Sequence, residues 1–481
     1  MKIAYSHLVQ YIEENPSIKQ ISDSLFQLGH EHEIDGDIFD MEFTPNRGDC
    51  LSINGLLRDL AVFYTVQLNR EIFTEKLNEL ELDFENLSRS TCPKVSFLKI
   101  EIDQVPETYR NSLDNYFSDL GLNRNNFFTD VSNYLSYETG QPTHCYDANT
   151  INNKLIFHEI ESDEEFETLL GKKISLKGKN AVFSLNNEVI NLAGVVGGNS
   201  TSCSADTKTV IVECAFFKPE AIIGKSVRYD IQSEASHKFE RGVDRECQDK
   251  VLRRFIKVVS EHANIIDMSI VSYKYEENII HQIPINIHKV NRIIGIDISE
   301  NEYLNYLKKL GFGIQDGVIK VPAFRSDIKT QNDLAEEVAR VIGYDNILRA
   351  DINITKNDKH NHKDIENKLR YFLLDHGFYE VINPPFVGIS SKDAIKVDNP
   401  LDSNRQFLRT NLTNSLLDNL LYNERRQKDS IKLFEISDIY TSNNGLHKKR
   451  KLSIIATGRV DHNYQDFSKK INKKYLETIF Q

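Results

Sequence analysis

The chain has 481 residues, 40% hydrophobic and 27% charged, a composition that excludes extended disorder and a length that exceeds one core. Its 59 basic and 71 acidic side chains leave a formal charge of -12. That balance excludes bulk electrostatic capture of nucleic acid, so such a partner needs a local patch or a second subunit. Six cysteines without a C-x-x-C pair fit neither a disulfide framework nor a zinc site. Glu13 and Glu14 stand where a secretory leader would keep an apolar stretch. No window approaches the ~18 uncharged apolar residues of a membrane span. The expectation is a reduced, soluble, cytoplasmic protein with no membrane partner.

In chain order, the expected fold class is α+β and multidomain. Residues 1–91 read as helices and a short strand, with Leu8, Tyr11 and Ile12, then Ile53, Leu56, Leu57, Leu60 and Ala61, at helical spacing. The acidic run from Glu75 to Asn86 reads as a linker or a surface helix. Residues 92–280 form a mixed α+β domain, in which VSFLKIEID, LIFHEI, AVFSL, EVINLAGVV and TVIVECAFF are strands and Arg245 to His262 a helix. Residues 281–352 form a small domain of helices plus the hairpin FGIQDGVIKVP, turning at Asp316-Gly317; its shape suggests a winged-helix module. Residues 353–481 open with the amphipathic helix DIENKLRYFLLDHGFYEVI, ended by Gly377. Further on come the helix NSLLDNLLYNERR and the strands KLFEISDIY and LSIIATGRV.

Five constellations could carry chemistry. In RSDIKTQNDLAEEVAR, Asp333, Glu336, Glu337 and Arg340 share a helical face, with Asp327 in the preceding loop. Clustered carboxylates suit Mg²⁺, while Asp333 followed by Glu336 equally reads as a helix cap. In NYLSYETGQPTHCYD, His144 could position a water or a hydroxyl, oriented by Asp147, with Asn133 nearby; a lone histidine is also compatible with a packing role. LAGVVGG offers Gly194, Gly197 and Gly198, either for close backbone approach to a ligand or for a tight turn. Glu213 interrupts the apolar strand VIVECAFF and is either outward or buried against a polar partner; only the buried case carries function. QSEASHKFERGVD holds Ser233, Ala235, Ser236, Arg241 and Asp244, without the order of a serine hydrolase.

Taken in order, these segments resemble the β subunit of bacterial phenylalanyl-tRNA synthetase. The resemblance rests on EFTPNRGDCLSINGLLRDLA, TDVSNYLSYETGQPTHCYDA, LAGVVGG, VIVECAFF, EASHKFERGVD, VPAFRSDIKTQNDLAEEVARVIGYDNI, DNPLDSNRQFLRTNL and KLFEIS. It implies an α2β2 heterotetramer acting on tRNA(Phe), in which the α subunit binds ATP, makes phenylalanyl-adenylate and charges the tRNA. It further implies that residues 92–280 are an editing domain, with His144, Glu213, Ser233 and Ala235 at editing-pocket positions and Asn133 and Gly194 beside them. Family members usually carry Thr where Ser233 stands. Asp327, Asp333, Glu336 and Glu337 match magnesium positions shared with the α subunit. The last domain resembles a truncated class II synthetase catalytic-like domain built on an antiparallel sheet. The chain departs from the family by lacking the N-terminal tRNA-binding barrel, the C-terminal anticodon-binding domain and any G-x-G-x-G-x-x-R stretch for ATP. No aminoacylation is therefore expected from this chain alone. Two other readings compete with an editing subunit: a purely structural partner of the α subunit, and a free-standing hydrolase acting on mischarged tRNA.

Overall fold

The structure, a computed structural model, describes residues 1–68, 70–161, 163–277, 280–349, 363–388, 391–442 and 445–480. The domain boundary expected near residue 352 lies outside them. The chain packs as two compact units, Met1–Ala350 and Asp351–Gln481. Among the described residues, no helix is long and apolar enough to cross a membrane.

The first unit begins with a sheet in which Ile38–Glu42 pairs antiparallel with both Lys2–Ala4 and Glu31–Asp35. The polar stretch after residue 30 is therefore a hairpin. The helix Ile18–Gln27 starts at a capping box, Ser17 and Gln20 exchanging hydrogen bonds. It buries Ile21 and Leu25 against Leu56, Leu57 and Leu60 of the helix Ile53–Leu60.

Two five-stranded sheets follow, packed face to face. One holds the strands Phe84–Asn86, Leu155–Ile160, Asn180–Leu185, Glu188–Leu192 and Val196–Gly197; the other holds Asn78–Glu79, Lys94–Ile102, His144–Asp147, Thr209–Phe216 and Ile265–Lys274. The period-2 alternation of Thr209–Phe216 divides its side chains. Ile211 and Ala215 join Phe97, Phe157 and Phe183 between the sheets, whereas Val210, Val212 and Cys214 face the helices Phe127–Thr139 and Gln248–Ser260. The result is three layers: helices, sheet, sheet.

The acidic run Glu75 to Asn86 contains no helix. Its strands pair in parallel with Ile265–Lys274 and Leu155–Ile160 respectively, one in each sheet. Leu80 is buried, and Leu82 and Phe84 pack against the core. The alternation of these apolar residues with Glu79, Glu81, Asp83 and Glu85 is a strand pattern that acidity conceals.

Residues beyond 280 build a small core of Val290, Tyr303, Leu307, Ile319, Leu334 and Val338. Gly313–Gln315 and Val318–Lys320 form the expected hairpin, joined by Gln282–Pro284. Asp316 and Gly317 both take positive φ, 53° and 75°, as a two-residue hairpin turn of this type requires.

In the second unit, Ser430–Thr441 and His447–Gly458 pair antiparallel along their length. Tyr379–Glu380 adds to the sheet in parallel, so the sheet is mixed and not purely antiparallel. The helix Lys363–Asp375 ends before Gly377, whose φ is +77°. Arg409 donates to Glu435 at 2.7 Å, both side chains buried.

Candidate functional site

Glu213 lies in an inner strand, between Lys94–Ile102 and His144–Asp147, opposite Phe97 on one side and His144 on the other. Directly opposed residues of an antiparallel pair share a face. The even register thus sets Glu213, His144 and Tyr146 together on the face turned toward the second sheet. Glu213 is only 4% exposed. Tyr146 donates its hydroxyl to Glu213 Oε2 at 2.9 Å. Asn191, reaching across from the other sheet, donates to the Tyr146 oxygen at 2.8 Å and to Glu213 Oε2 at 3.3 Å.

Burial pushes the Glu213 carboxyl up to about 8, against the opposing pull of the Tyr146 hydrogen bond. It is therefore protonated at neutral pH and can donate as well as accept. The same burial drives His144 down to about 4, leaving it a neutral imidazole. His144 Nε2 is enclosed and has no hydrogen-bond partner. The ring stands edge-on to Tyr146, centroids 4.5 Å apart. Two side chains normally charged at opposite ends of the pH scale are both neutral here, a combination suited to binding an uncharged polar group.

The glycine segment frames this group. Gly194 takes φ +69°, and a β carbon there would meet Ile222, Phe217 and Phe239. Gly197 lies against the imidazole: a β carbon would fall 2.7 Å from His144 Nε2 and closer still to Cε1. Ser233 caps the helix Glu234–Arg241 and donates its hydroxyl to Val195 O at 2.7 Å. The cap thereby ties the helix start to the glycine turn. Ala235, half-buried, packs on the same core. The structure thus brings His144 and Glu213 side by side, ties Ser233 to the adjoining glycine turn and packs Ala235 on the same core. Asn133 instead lies exposed on its helix, and Asp147 accepts from Thr207 at 2.7 Å.

Tyr146 and Asn191 escaped the sequence reading. The available signal was periodicity: Tyr146 follows His144 by two on its strand, and Asn191 is a polar residue inside the apolar run EVINL.

The acidic helix behaves differently. Its cap lies one turn earlier than the sequence suggested. Thr330 is the N-cap and Asp333 its capping-box partner, accepting from the amides of Lys329 and Thr330 at 2.8 and 2.7 Å. Asp327 accepts from Arg325 at 2.9 and 2.8 Å. Glu337 is gripped by Arg325 at 2.6 and 2.7 Å and by Arg340 at 3.1 and 2.8 Å. These arginines hold the Glu337 carboxyl well below its usual range against the cost of burial. Glu336 is exposed. The four carboxylates expected to hold Mg²⁺ do not converge, and three already have committed donors. On this chain's own atoms the set does not fit a cation, and no reaction step passes through one.

Among the described residues, the one group with donor atoms close enough for a metal is His30, Cys50 and Asp59. There too the charge is already matched. Arg340 donates to Asp59 at 2.8 Å, and Arg47 to Asp59 at 3.0 Å and to Cys50 Sγ at 2.8 Å. Burial keeps Cys50 a thiol. Two guanidiniums in contact with the donors oppose a dication.

Three family models match the chain: "B3/4 domain" over residues 96–264, "tRNA synthetase B5 domain" over 283–344 and "Phenylalanyl tRNA synthetase beta chain CLM domain" over 349–481. Among curated proteins, the phenylalanine–tRNA ligase beta subunit of Psychrobacter arcticus is 30% identical over 455 residues, covering 89% of this chain and 56% of the relative. That of Ehrlichia canis is 31% identical over 432 residues, covering 85% and 53%. The chain spans about half the length of the curated relatives it matches. A solved N-terminal fragment of the phenylalanyl-tRNA synthetase beta-subunit from Pyrococcus horikoshii aligns with 71% of this chain and 99% of its own, at 14% identity and a TM-score of 0.40.

Proposed function

Because the chain belongs to the family of phenylalanyl-tRNA synthetase β subunits, we propose that it serves an α subunit that charges tRNA(Phe), and that it hydrolyses tyrosine wrongly attached to that tRNA. In this reading ATP is bound by the α subunit. The observation that carries the editing part is the buried, protonated Glu213 set beside neutral His144.

A pocket shaped for phenylalanine rejects an added hydroxyl by only about a hundredfold. Tyrosine therefore reaches the tRNA at a rate that calls for a second sieve. A site built to hydrogen-bond the extra hydroxyl rejects the analogue lacking it far more strongly, because its own polar group is then left unpaired. Glu213 supplies such a group. Its Oε2 already accepts from Tyr146 and Asn191, which fixes the carboxyl in place and leaves Oε1 for the substrate phenol. A charged carboxylate would bind the phenol too, but at a larger desolvation cost in this enclosure. His144, with an unpartnered Nε2, positions the attacking water or the terminal ribose; Ser233 and Ala235 shape the wall beside it.

The partner reading draws support from the second unit. Ile382, Leu401 and Tyr379 are 89, 84 and 72% exposed, large apolar side chains that water does not stabilise and an α subunit would cover.

The test is deacylation of tyrosyl-tRNA(Phe) by the chain assembled with its α subunit. Glu213→Ala is expected to lower the rate by at least tenfold with phenylalanine charging intact. An unchanged rate would reduce the chain to a scaffold.

A further inference from the structure

A second cleft lies away from Glu213, where the N-terminal segment, the helix layer and Phe324 meet. Its charged lining is Asp49, Arg58, Arg70, Glu138, Asp244, Lys250 and Arg254. The anions are largely committed. Asp49 accepts from Arg47 at 2.9 and 3.1 Å. Glu138 accepts from Arg254 at 2.9 and 3.0 Å and from the Tyr134 hydroxyl at 2.6 Å.

The cations left over are under-matched. Arg70, with a side chain 9% exposed, reaches Glu138 only at 3.7 Å. Its Nε donates to Asn54 at 3.3 Å, and its guanidinium stacks on Tyr11. Arg58 lies over the Phe324 ring at 3.9 Å and reaches Asp49 only at long range, its carboxylate at 3.9 Å and its carbonyl oxygen at 3.5 Å, with Nε enclosed without a partner. Lys250 is exposed and makes no ion pair among the described residues. Against these three stands Asp244, whose Oδ1 accepts from the Glu246 amide at 2.8 Å. Desolvation lowers Arg70 and raises Asp244, the response of a cation and an anion that lack adequate counter-charge. Leu68, Val243 and Phe324 supply apolar wall. In a chain of formal charge -12, this cleft gathers four cations against three carboxylates, and clefts between domains are common ligand sites.

We propose that this cleft binds a small organic anion, a carboxylate or phosphate carried on an apolar ring, with Arg58 and Lys250 on the oxyanion and Leu68, Val243 and Phe324 on the ring. Asp244 then limits affinity by repelling the same oxyanion. The two cations and the one anion thus make opposite contributions, which a merely structural cleft would not show.

The test titrates the full chain by calorimetry with benzoate, phenyl phosphate and neutral benzyl alcohol. At least one anion is expected to bind saturably and at least tenfold more tightly than benzyl alcohol, and the tighter of the two identifies carboxylate or phosphate as the recognised group. Lys250→Glu, at an exposed position, should weaken that anion at least tenfold. Asp244→Asn, which keeps the acceptor for the Glu246 amide, should tighten it severalfold. Absence of saturable anion binding, equal binding of benzyl alcohol, or substitutions that fail to move affinity in these opposite directions would overturn the proposal.

Discussion

At Glu213 and His144 one physical cause, removal from water, acts in opposite directions on an acid and a base and leaves both neutral. The consequence for stability can be worked out. Folded Glu213 holds its proton up to about 8, whereas unfolded it would release it near 4.5. Stability is therefore unaffected below 4.5, falls as pH rises toward 8, and is flat above. Glu213→Gln removes this dependence, so urea unfolding should show the variant gaining on the natural chain between pH 5 and pH 8 by on the order of a few kcal/mol. An advantage that does not grow over that window would mean the carboxyl ionises normally. His144 acts at the other end: with a folded value of about 4 against 6.5, it erodes stability as pH falls from 6.5 to 4. Sequence alone placed Glu213 in a strand and His144 in the segment NYLSYETGQPTHCYD, and left burial open. Alternation fixes which residues share a face but not which face is covered, and Tyr146 and Asn191 became visible only when two sheets came together.

At the scale of elements, local rules read well wherever a backbone requirement dictated the residue. The Asp316-Gly317 turn and the end of the helix Lys363–Asp375 before Gly377 were legible because positive φ favours few residue types. Glu75 to Asn86 was misread because charge concealed a period-2 pattern, and the cap of the acidic helix was placed a turn late because Thr330 outcompetes Asp333 for that role. Two element-level tests follow from contacts that no local rule foretells. Gly197→Ala would drive a β carbon into the His144 ring; overpacking of this kind costs about 1–3 kcal/mol, and tyrosyl-tRNA deacylation should fall with it. A melting curve and a deacylation rate both unchanged would show that the ring is free to move. Arg340 links Glu337 on its own helix to Asp59 on the helix Ile53–Leu60, residues 281 positions apart in the second case. Arg340→Ala would leave two buried carboxylates short of a partner, at a cost of about 3–5 kcal/mol. Chemical denaturation should register that loss, and a loss below ~1 kcal/mol, typical of an exposed pair, would contradict the buried network described here.

On the scale of the whole molecule, two of the four carboxylates that the sequence suggested for a metal serve cohesion. Asp327 and Glu337 are bound to arginines, and the Arg340–Asp59 contact fastens the small domain to the N-terminal segment. Sequence spacing could not distinguish ligands from salt-bridge partners: Arg325 stands two residues before Asp327, but nothing local showed that it would fold back onto Glu337, and Asp59, the second partner of Arg340, lies 281 positions away. The unit beyond residue 350 has a modest core, with Leu373, Phe378, Phe434 and Ile436 as its main buried cluster. Its exposed apolar side chains predict that Ile382→Asp combined with Tyr379→Asp will lower co-purification with an α subunit while the chain stays folded; undiminished recovery would place that interface elsewhere. The central claim, that a neutral carboxyl selects the tyrosine hydroxyl, is tested most directly by the ratio of tyrosyl- to phenylalanyl-tRNA(Phe) deacylation rates in the natural chain, Glu213→Gln and Glu213→Ala at pH 7. The account predicts a ratio well above one that survives in Glu213→Gln, which keeps an uncharged hydrogen-bonding group, and collapses toward one in Glu213→Ala. A ratio equally high in all three would contradict it.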